Sequence, residues 1–425
     1  MKEKIAVIGL GYVGLPLALL ASKKGYEVYG VDINKDRIEA INQKHSPFLD
    51  AKIEQELQSS KFIATTDSQV VKDCQIVIIC VPTPVSEDKI PNLRPVEGAC
   101  LTVARNLTKG SLVILESTVN PGVCESIVIP IIEKESGLKA GVDFYVAHCP
   151  ERINPGDKKW HVENINRVIG SLEATGLKMA YDFYTSIISG SVYKMNNLKE
   201  AEAVKIVENS FRDINIAFVN ELAMSFSRLG IDVVNVINGA ETKPFSFLAH
   251  YPGCGVGGHC IPVDPYYLIE YAKQENGFNH AFLSLAREIN NNMPKFTVDL
   301  LTTALGEKNI KPTGTRITIL GISYKADIDD DRESPAFEII SEAKKAGYDV
   351  SIFDPFVLAK STAQTLTEAL KDSMAVIIAT NHSDFKKLSP EFFLTNNIST
   401  IIDGRNCLDK EKFIQAGITY RGIGR

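Results

Sequence analysis

Ile5-Ala-Val-Ile-Gly9-Leu-Gly11-Tyr12-Val13-Gly14-Leu-Pro-Leu-Ala-Leu-Leu-Ala21, followed beyond Gly25 by Glu27-Val-Tyr-Gly-Val-Asp32, decides the fold. A short apolar run leads into glycines, then into a helical apolar pattern, then into a second run that ends in an acid. This is the strand–turn–helix–strand setting in which a GxGxxG motif binds a dinucleotide. The glycines allow a tight turn and let a pyrophosphate approach the helix N-terminus. Asp32, eighteen residues after Gly14, is placed to accept hydrogen bonds from the adenosine ribose. A carboxylate there repels a 2′-phosphate, which favours NAD over NADP, although Lys35 and Arg37 stand nearby. The alternative reading is a purely structural turn.

Downstream, Gln75–Val81 and Ser111–Glu116 are continuous apolar runs of the kind that form buried parallel strands. They end in Pro82-Thr83-Pro84 and Ser117-Thr118, so Thr83, Glu116 and Thr118 are expected to face the cofactor crevice. A further strand over 143–148 leads into Cys149-Pro-Glu151-Arg152, where Glu151 is either a general base or a turn cap. From Lys311-Pro-Thr-Gly314 onward the βα rhythm restarts. Strands are expected at 316–321, 349–354, 375–379 and 399–403, with a helix over 335–345. The glycine fingerprint is missing there, and the polar loop 323–335 with Arg405 suits a nucleotide other than the redox cofactor. The fold is therefore expected to be α/β, with two doubly wound Rossmann-like domains over 1–197 and 314–425. Between them lies a helical middle domain, 198–298.

That middle segment contains the longest helical pattern, Leu198–Leu229, with no proline or glycine inside it. Lys205, Asn209 and Arg212 fall at i, i+4 and i+7, on one side. The row is either a binding face for oxyanion, hydroxyl and carbonyl groups or an ordinary solvated face. The helix also offers a surface for a homodimer. Tyr251-Pro-Gly253-Cys254-Gly255-Val-Gly257-Gly258-His259-Cys260-Ile-Pro-Val-Asp264-Pro-Tyr-Tyr267 reads as a shaped loop. Its glycines are expected to let a bound molecule approach the main chain. Cys260, beside His259 and four residues before Asp264, is a candidate nucleophile, with a metal ligand or a buried structural thiol as the alternatives.

Composition narrows the class. The 425 residues carry a net charge of −6, which leaves no basic footprint for nucleic acid. No apolar run is long enough to span a bilayer, and nothing at the start looks like a signal peptide. Eight scattered cysteines with no CxxC pair read as reduced cytoplasmic thiols, and no metal site is expected. Cys254 is expected to be packed, with a redox role as the alternative.

Taken in order, Gly9-Leu-Gly-Tyr-Val-Gly-Leu-Pro16, Val81-Pro-Thr-Pro84, Glu116-Ser-Thr118, Pro150-Glu151, Lys205-x-x-x-Asn209, Gly257-Gly-x-Cys260-x-Pro-x-Asp264, Tyr324-Lys325 and Asp330-x-Arg332-x-Ser-Pro335 resemble the UDP-glucose/GDP-mannose dehydrogenase family. The resemblance spans essentially the whole chain. It implies a four-electron oxidation of a nucleotide sugar's C6 alcohol to a carboxylate with two NAD+, through a Cys260 thiohemiacetal and thioester. It further implies that Lys205, Asn209 and Asp264 orient the sugar and a catalytic water. Glu151 would be the base for thioester hydrolysis, and Thr118 would position the water. The cofactor would touch Gly9, Gly11, Tyr12, Val13, Gly14, Asp32, Arg37, Pro82, Thr83, Ser117, Thr118 and Arg332. The sugar nucleotide would touch Glu151, Arg152, Lys205, Asn209, Arg212, Tyr251, Gly253, Gly257, Tyr324, Lys325 and Arg405. A homodimer or larger homo-oligomer is also implied.

Pro244 and Val263 stand where UDP-glucose enzymes of the family carry an arginine and a lysine. Thr242-Lys-Pro-Phe-Ser-Phe247 and His259–Leu268 instead look like the branch acting on UDP-N-acetylhexosamines in surface-polysaccharide pathways. UDP-N-acetylglucosamine is the favoured substrate, UDP-N-acetylmannosamine the main alternative, and UDP-glucose or UDP-N-acetylgalactosamine further ones. Arg212 would contact the acetamido group. A two-electron hydroxy-acid dehydrogenase is the remote alternative, and it would not need Cys260.

Overall fold

The computed structural model describes residues 3–48, 50–86, 90–153, 159–258 and 260–425. Two groups of residues singled out in the sequence, His259 beside Cys260 and Asn154-Pro-Gly156 after Glu151, lie outside the described residues. The chain divides into two compact units. One comprises Met1–Glu208 with Tyr266–Asn279, and the other Asn209–Pro265 with His280–Arg425. Both are built on parallel sheets in Rossmann-like domains, and the middle of the chain is helical.

The first unit holds strands β1 (Lys4–Ile8), β2 (Glu27–Val31), β3 (Ile63–Thr65), β4 (Ile76–Ile79), β5 (Leu112–Leu115), β6 (Tyr145–His148), β7 (Arg167–Ser171) and β8 (Val192–Lys194). Their spatial order is β3-β2-β1-β4-β5-β6-β7-β8. All neighbours pair in parallel except β6 and β7. Successive residues of the central strands feed opposite cores. Ile5, Val7, Ile78 and Ile114 enter one apolar cluster, and Ala6, Ile8, Val77 and Val113 the other. Covering both faces is what turns these strands into unbroken apolar runs. The order reverses between β1 and β4, which opens the ligand crevice at their C-terminal ends.

In the second unit β9 (Arg316–Leu320), β10 (Asp349–Phe353), β11 (Ala375–Ile378), β12 (Thr400–Asp403) and β13 (Thr419–Gly422) form an all-parallel sheet in the order β10-β9-β11-β12-β13. Ile317, Ile319 and Ile377 pack on one side of it, and Leu320, Val376 and Ile378 on the other.

The central helix runs from Leu198 to Leu229, as its periodicity predicts. Its periodic apolar residues are not all buried, however. Val207, Phe211 and Phe218 are exposed, and the core is reached by Ala201, Ile206, Val219 and Ala223. The glycine loop is also shorter than expected, because Asp264–Asn276 is helical. A proline in the first turn gives up no intrahelical bond, and an acid there complements the positive end of the helix dipole, so both favour that start. Strands β7, β8 and β13 and the helix Ala281–Gly306 add to what the apolar runs reveal. No helix among the described residues is long and apolar enough to cross a membrane.

Candidate active site

In the first unit the three fingerprint glycines serve three purposes. Gly9 turns the chain with a left-handed φ of 94°. A Cβ on Gly14 would stand 1.9 Å from the Gly9 carbonyl oxygen, so the helix can start this close to the strand only with glycine. A Cβ on Gly11 would meet nothing within 4 Å. That open cradle at a helix N-terminus fits a pyrophosphate. Tyr12 stacks on Phe48, and Val13 precedes the helix Gly14–Lys23. Asp32 accepts the Leu10 amide at 2.8 Å and Arg37 Nη1 at 2.9 Å on one oxygen, and the Asn34 amide at 2.9 Å on the other. Arg37 therefore neutralises the acid and is not held out toward a 2′-phosphate.

The turns after β4 and β5 approach each other. Ser117 Oγ donates to the Val81 carbonyl at 2.7 Å, and the Tyr267 hydroxyl donates to the Thr83 carbonyl at 2.7 Å. Pro82 is exposed, and Thr83 and Thr118 are half-buried. Glu116 behaves differently from the expectation that it faces the crevice. It is fully buried, takes a short hydrogen bond from the Tyr184 hydroxyl, and lies 3.7 Å from Arg167 Nη1. The helix Ala174–Ile187 behind the strand supplies Tyr184, so the carboxyl is drawn into the protein. Burial pushes its pKa up to about 7, against the pull of Arg167.

Glu151 joins the same cluster. Its Oε1 accepts the amides of Arg152 and Ile153, each at 2.6 Å, and its Oε2 accepts Arg167 Nη1 at 2.8 Å. Arg152 pairs with Glu208 at 2.5 Å and reaches the Asn166 carbonyl at 3.0 Å. Arg167 was not legible as a site residue. An arginine opening a buried strand, Arg167-Val-Ile-Gly-Ser171, was the available signal.

Nearby, Cys124, His148 and Glu202 converge in the interior. Glu202 accepts the Gly122 amide at 2.5 Å and the Cys124 amide at 2.8 Å, which accounts for it as a tie for the turn after β5. Burial holds the His148 ring neutral, with a pKa lowered to about 3.

In the second unit, half-buried Cys260 sits one turn before the helix Asp264–Asn276. Its carbonyl accepts the Val263 amide at 3.0 Å and the Asp264 amide at 2.8 Å, which sets the turn. Asp264 is buried and accepts Asn209 Nδ2 at 2.5 Å. Asn209 and Arg212 share a helix face, but Asn209 is buried and Arg212 exposed. Lys205, one turn before Asn209 on the same helix, is half-buried.

Gly255 and Gly258 take left-handed φ values of 131° and 89°, and the side space of the loop glycines is taken up by the protein itself. A Cβ on Gly253 would strike Arg405, one on Gly255 would strike Pro335, and one on Gly257 would strike both Pro335 and Tyr324. The space they leave is filled by the protein's own side chains. Arg405 spans the loop and the sheet, donating to the Gly255 carbonyl at 3.1 Å and the Ala379 carbonyl at 2.8 Å. The Tyr324 amide donates to the Asp330 carbonyl, Arg332 grips Asp330 through Nε and Nη2, and Lys325 is half-buried. The Tyr251 hydroxyl donates to Asn238 at 2.9 Å. Cys254 is fully buried, its thiol facing the Ala379 carbonyl at 3.5 Å.

Behind the loop runs a buried polar chain that local patterning does not disclose. Arg287 and Asn290 bind Asp213, Asn290 Oδ1 accepts Asn220 Nδ2 at 2.8 Å, and Asn220 Oδ1 accepts the Gly253 amide at 2.9 Å.

Three domain models match in succession. They are the NAD binding domain over residues 3–188, the central domain over 199–292 and the UDP binding domain over 318–410, all of the UDP-glucose/GDP-mannose dehydrogenase family. The chain belongs to this family. As a nucleotide sugar dehydrogenase it uses NAD, and its C-terminal sheet is the family's UDP-binding domain. It is 39% identical over 427 residues to a UDP-N-acetyl-D-mannosamine dehydrogenase of Pyrococcus horikoshii, covering 99% of each chain. It is also 39% identical over 395 residues to a UDP-N-acetyl-D-glucosamine 6-dehydrogenase of Salmonella typhi, covering 91% of this chain and 92% of the relative. The solved structure of the UDP-D-ManNAc dehydrogenase from Pyrococcus horikoshii superposes with a TM-score of 0.93 at 37% identity, covering 99% of each chain.

Proposed function

We propose that this dehydrogenase oxidises the C6 alcohol of a UDP-N-acetylhexosamine to the carboxylate, consuming two NAD+ per sugar. The observation that carries this reading is the half-buried Cys260 thiol, set one turn before the buried Asp264–Asn209 pair. A two-electron dehydrogenase has no use for that arrangement. Bound NAD+ supplies the hydride acceptor for each of the two oxidations.

The protein's own residues do the rest. Lys205 and Asn209 hold the C6 oxygen, and Lys205 offsets the negative charge that develops there. The Cys260 thiolate adds to the aldehyde carbon, and the aldehyde oxygen takes a proton to give a thiohemiacetal. After the second oxidation that carbon is a thioester. Thr118 positions a water and Glu151 takes its proton. Attack breaks the carbon–sulfur bond, returning the thiolate and releasing the uronic acid. Tyr324, Lys325 and Arg405 hold the nucleotide, and Arg332 contacts the cofactor.

The Thr242-Lys-Pro-Phe segment favours UDP-N-acetylglucosamine. The equally similar mannosamine enzyme supports the manno epimer as the second reading. Arg212, exposed on the Asn209 face, would read the acetamido carbonyl. The exposed Val207, Phe211 and Phe218 stripe would pair with a second copy of the chain. Reduced thiols and the UDP-sugar substrate suit a cytoplasmic enzyme of surface-polysaccharide synthesis.

The decisive assay is NADH yield from limiting UDP-sugar in excess NAD+. Two NADH per UDP-N-acetylglucosamine, none from Cys260→Ser, and little from UDP-glucose are expected. One NADH per sugar, or full turnover by Cys260→Ser, would sink the thioester route.

A further inference from the structure

We propose that Glu116 is a positioning residue for the hydrolytic step: when it ionises it draws Arg167 away from Glu151 and releases the Glu151 carboxylate to act on water. The inference rests on the reading of Glu151 as the base for thioester hydrolysis.

Three features of the buried cluster support it. First, one nitrogen, Arg167 Nη1, faces both acids, at 2.8 Å from Glu151 Oε2 and 3.7 Å from Glu116 Oε1. A movement of about 1 Å would exchange its partner, well within the reach of a guanidinium on a flexible stem. Second, that guanidinium stands over the Tyr184 ring, 5.8 Å from its centroid, and keeps donors in reserve. Nε and Nη2 of Arg167 are buried without a hydrogen-bond partner among the described residues. A buried arginine normally forms a bidentate fork with one carboxylate. Here the donors left over can receive a second acid. Third, with all three groups charged the cluster would hold two carboxylates and one cation away from water. Two acids competing for one buried cation do not ionise independently.

The remaining neighbours do not add charge. Glu116, at the end of β5, meets the Cys80 thiol at the end of β4 at 3.9 Å. It meets the Tyr184 hydroxyl from the helix Ala174–Ile187 and Arg167 from β7. Cys149 and Glu151, which follow β6, also act on it or on its partners. Burial pushes the Cys80 and Cys149 thiols and the Tyr184 hydroxyl upward, so all three stay neutral near pH 7. Glu116 is thus the group whose charge changes in the working range, its pKa raised to about 7 by burial.

The sign follows. Below that value Glu116 is neutral and Arg167 is committed to Glu151. Above it Arg167 is shared, and one oxygen of Glu151 is released. Thioester hydrolysis should therefore rise with pH through this range by about tenfold between pH 6 and pH 8, the change in the ionised fraction of one such group.

The test measures the decay of the enzyme-bound acyl species directly. Enzyme with UDP-N-acetylglucosamine (or the epimer that turns over) and excess NAD+ is acid-quenched at intervals, and the Cys260 adduct is quantified by intact-protein mass from pH 6 to pH 8.5. Glu116→Gln keeps the hydrogen bond from Tyr184 but cannot ionise. It should hold hydrolysis at or below the wild-type pH 6 rate throughout, so the inflection disappears and the rate at pH 8 falls by at least about tenfold. Tyr184→Phe removes a hydrogen bond that favours the Glu116 carboxylate, so its inflection should move to higher pH. That shift keeps the test alive if Glu116→Gln fails to fold. A Glu116→Gln or Tyr184→Phe profile that superposes on wild type overturns the proposal. Glu151→Gln separates the two failures. If it hydrolyses the adduct normally, Glu151 is not the base and the underlying reading falls. If it accumulates adduct while Glu116→Gln keeps the wild-type profile, only the role of Glu116 falls.

Discussion

The two parallel sheets make the same turn after their leading strand and put it to opposite uses. Gly9 after β1 and Gly321 after β9 both take left-handed φ values, 94° and 88°. In each case the next strand ends in a carboxylate that reaches back to the turn, Asp32 to the Leu10 amide and Asp354 to the Ile322 amide. There the likeness stops. Asp32 makes one further backbone bond and shares an oxygen with Arg37, a third of which faces solvent. Asp354 Oδ2 takes the amides of Ile322 and Ser323, the Ser323 hydroxyl and His382 Nε2, and Oδ1 takes the amides of Phe356 and Val357. The Asp327 amide donates to His382 Nδ1, which leaves Nε2 as the donor to Asp354. Phe356 stacks on that ring at 4.8 Å. Where Asp32 takes three donors among the described residues, Asp354 takes six, and its oxygens are filled by groups of its own unit. One topology therefore yields a dinucleotide crevice or a closed structural joint, according to which polar groups reach the acid.

The largest effect is expected at Asp354. Asp354→Ala should cost about 3–5 kcal/mol in urea unfolding, because it strands several buried donors. The KM for NAD+ should not move. A raised KM with intact stability would mean that the second sheet also binds the cofactor.

The same carboxyl responds to acid. Burial works to raise the Asp354 pKa, but His382 and the Ser323 and Ile322 amides outweigh it and hold the carboxyl below its ordinary range. A depressed folded-state pKa contributes stability that is full above the unfolded value near about 4 and is lost as pH falls below it. Hydrogen exchange should show β9 and β10 opening as pH drops under about 4, and Asp354→Asn should flatten that dependence.

Asp32→Ala should do the reverse, raising the KM for NAD+ by about ten- to a hundredfold at a stability cost of about 1–2 kcal/mol. Gly11→Ala should weaken NAD+ about tenfold and leave the melting temperature within about a degree, since its Cβ meets nothing in the protein. The smallest effect belongs to Arg37→Ala. Losing a partly exposed ion pair costs about 0.5–1 kcal/mol, and NADP should gain nothing if Arg37 serves only Asp32.

Much of the site was legible where the signal is local. The GxGxxG turn with Asp32, the helix over 198–229 and the Cys260–Asp264 spacing each lie within one element or one loop. Legibility failed where a side chain's partner is distant in the chain. Glu116 looks like a crevice residue until Tyr184, 68 positions on, claims its oxygen. Gly257 looks like a ligand contact until Tyr324 and Pro335 occupy its open side. On the long helix the periodic Val207, Phe211 and Phe218 are left exposed, while Ala201, Ile206, Val219 and Ala223 are buried.

Sequence alone determined the two βα units, the cofactor that the first of them binds and the loop that carries the thiol. Each of these follows from short-range physics: apolar periodicity, backbone sterics at glycine, and the helix N-terminus. Only the tertiary structure decided which carboxylate is open and which is closed, that Arg167 stands between Glu116 and Glu151, and that a chain from Arg287 to Asn220 holds the Gly253 amide. Those outcomes depend on buried polar groups finding partners 16 to 77 residues away. A buried donor or acceptor must be satisfied by whatever the fold brings within 3 Å, and no pattern along the chain encodes that distance.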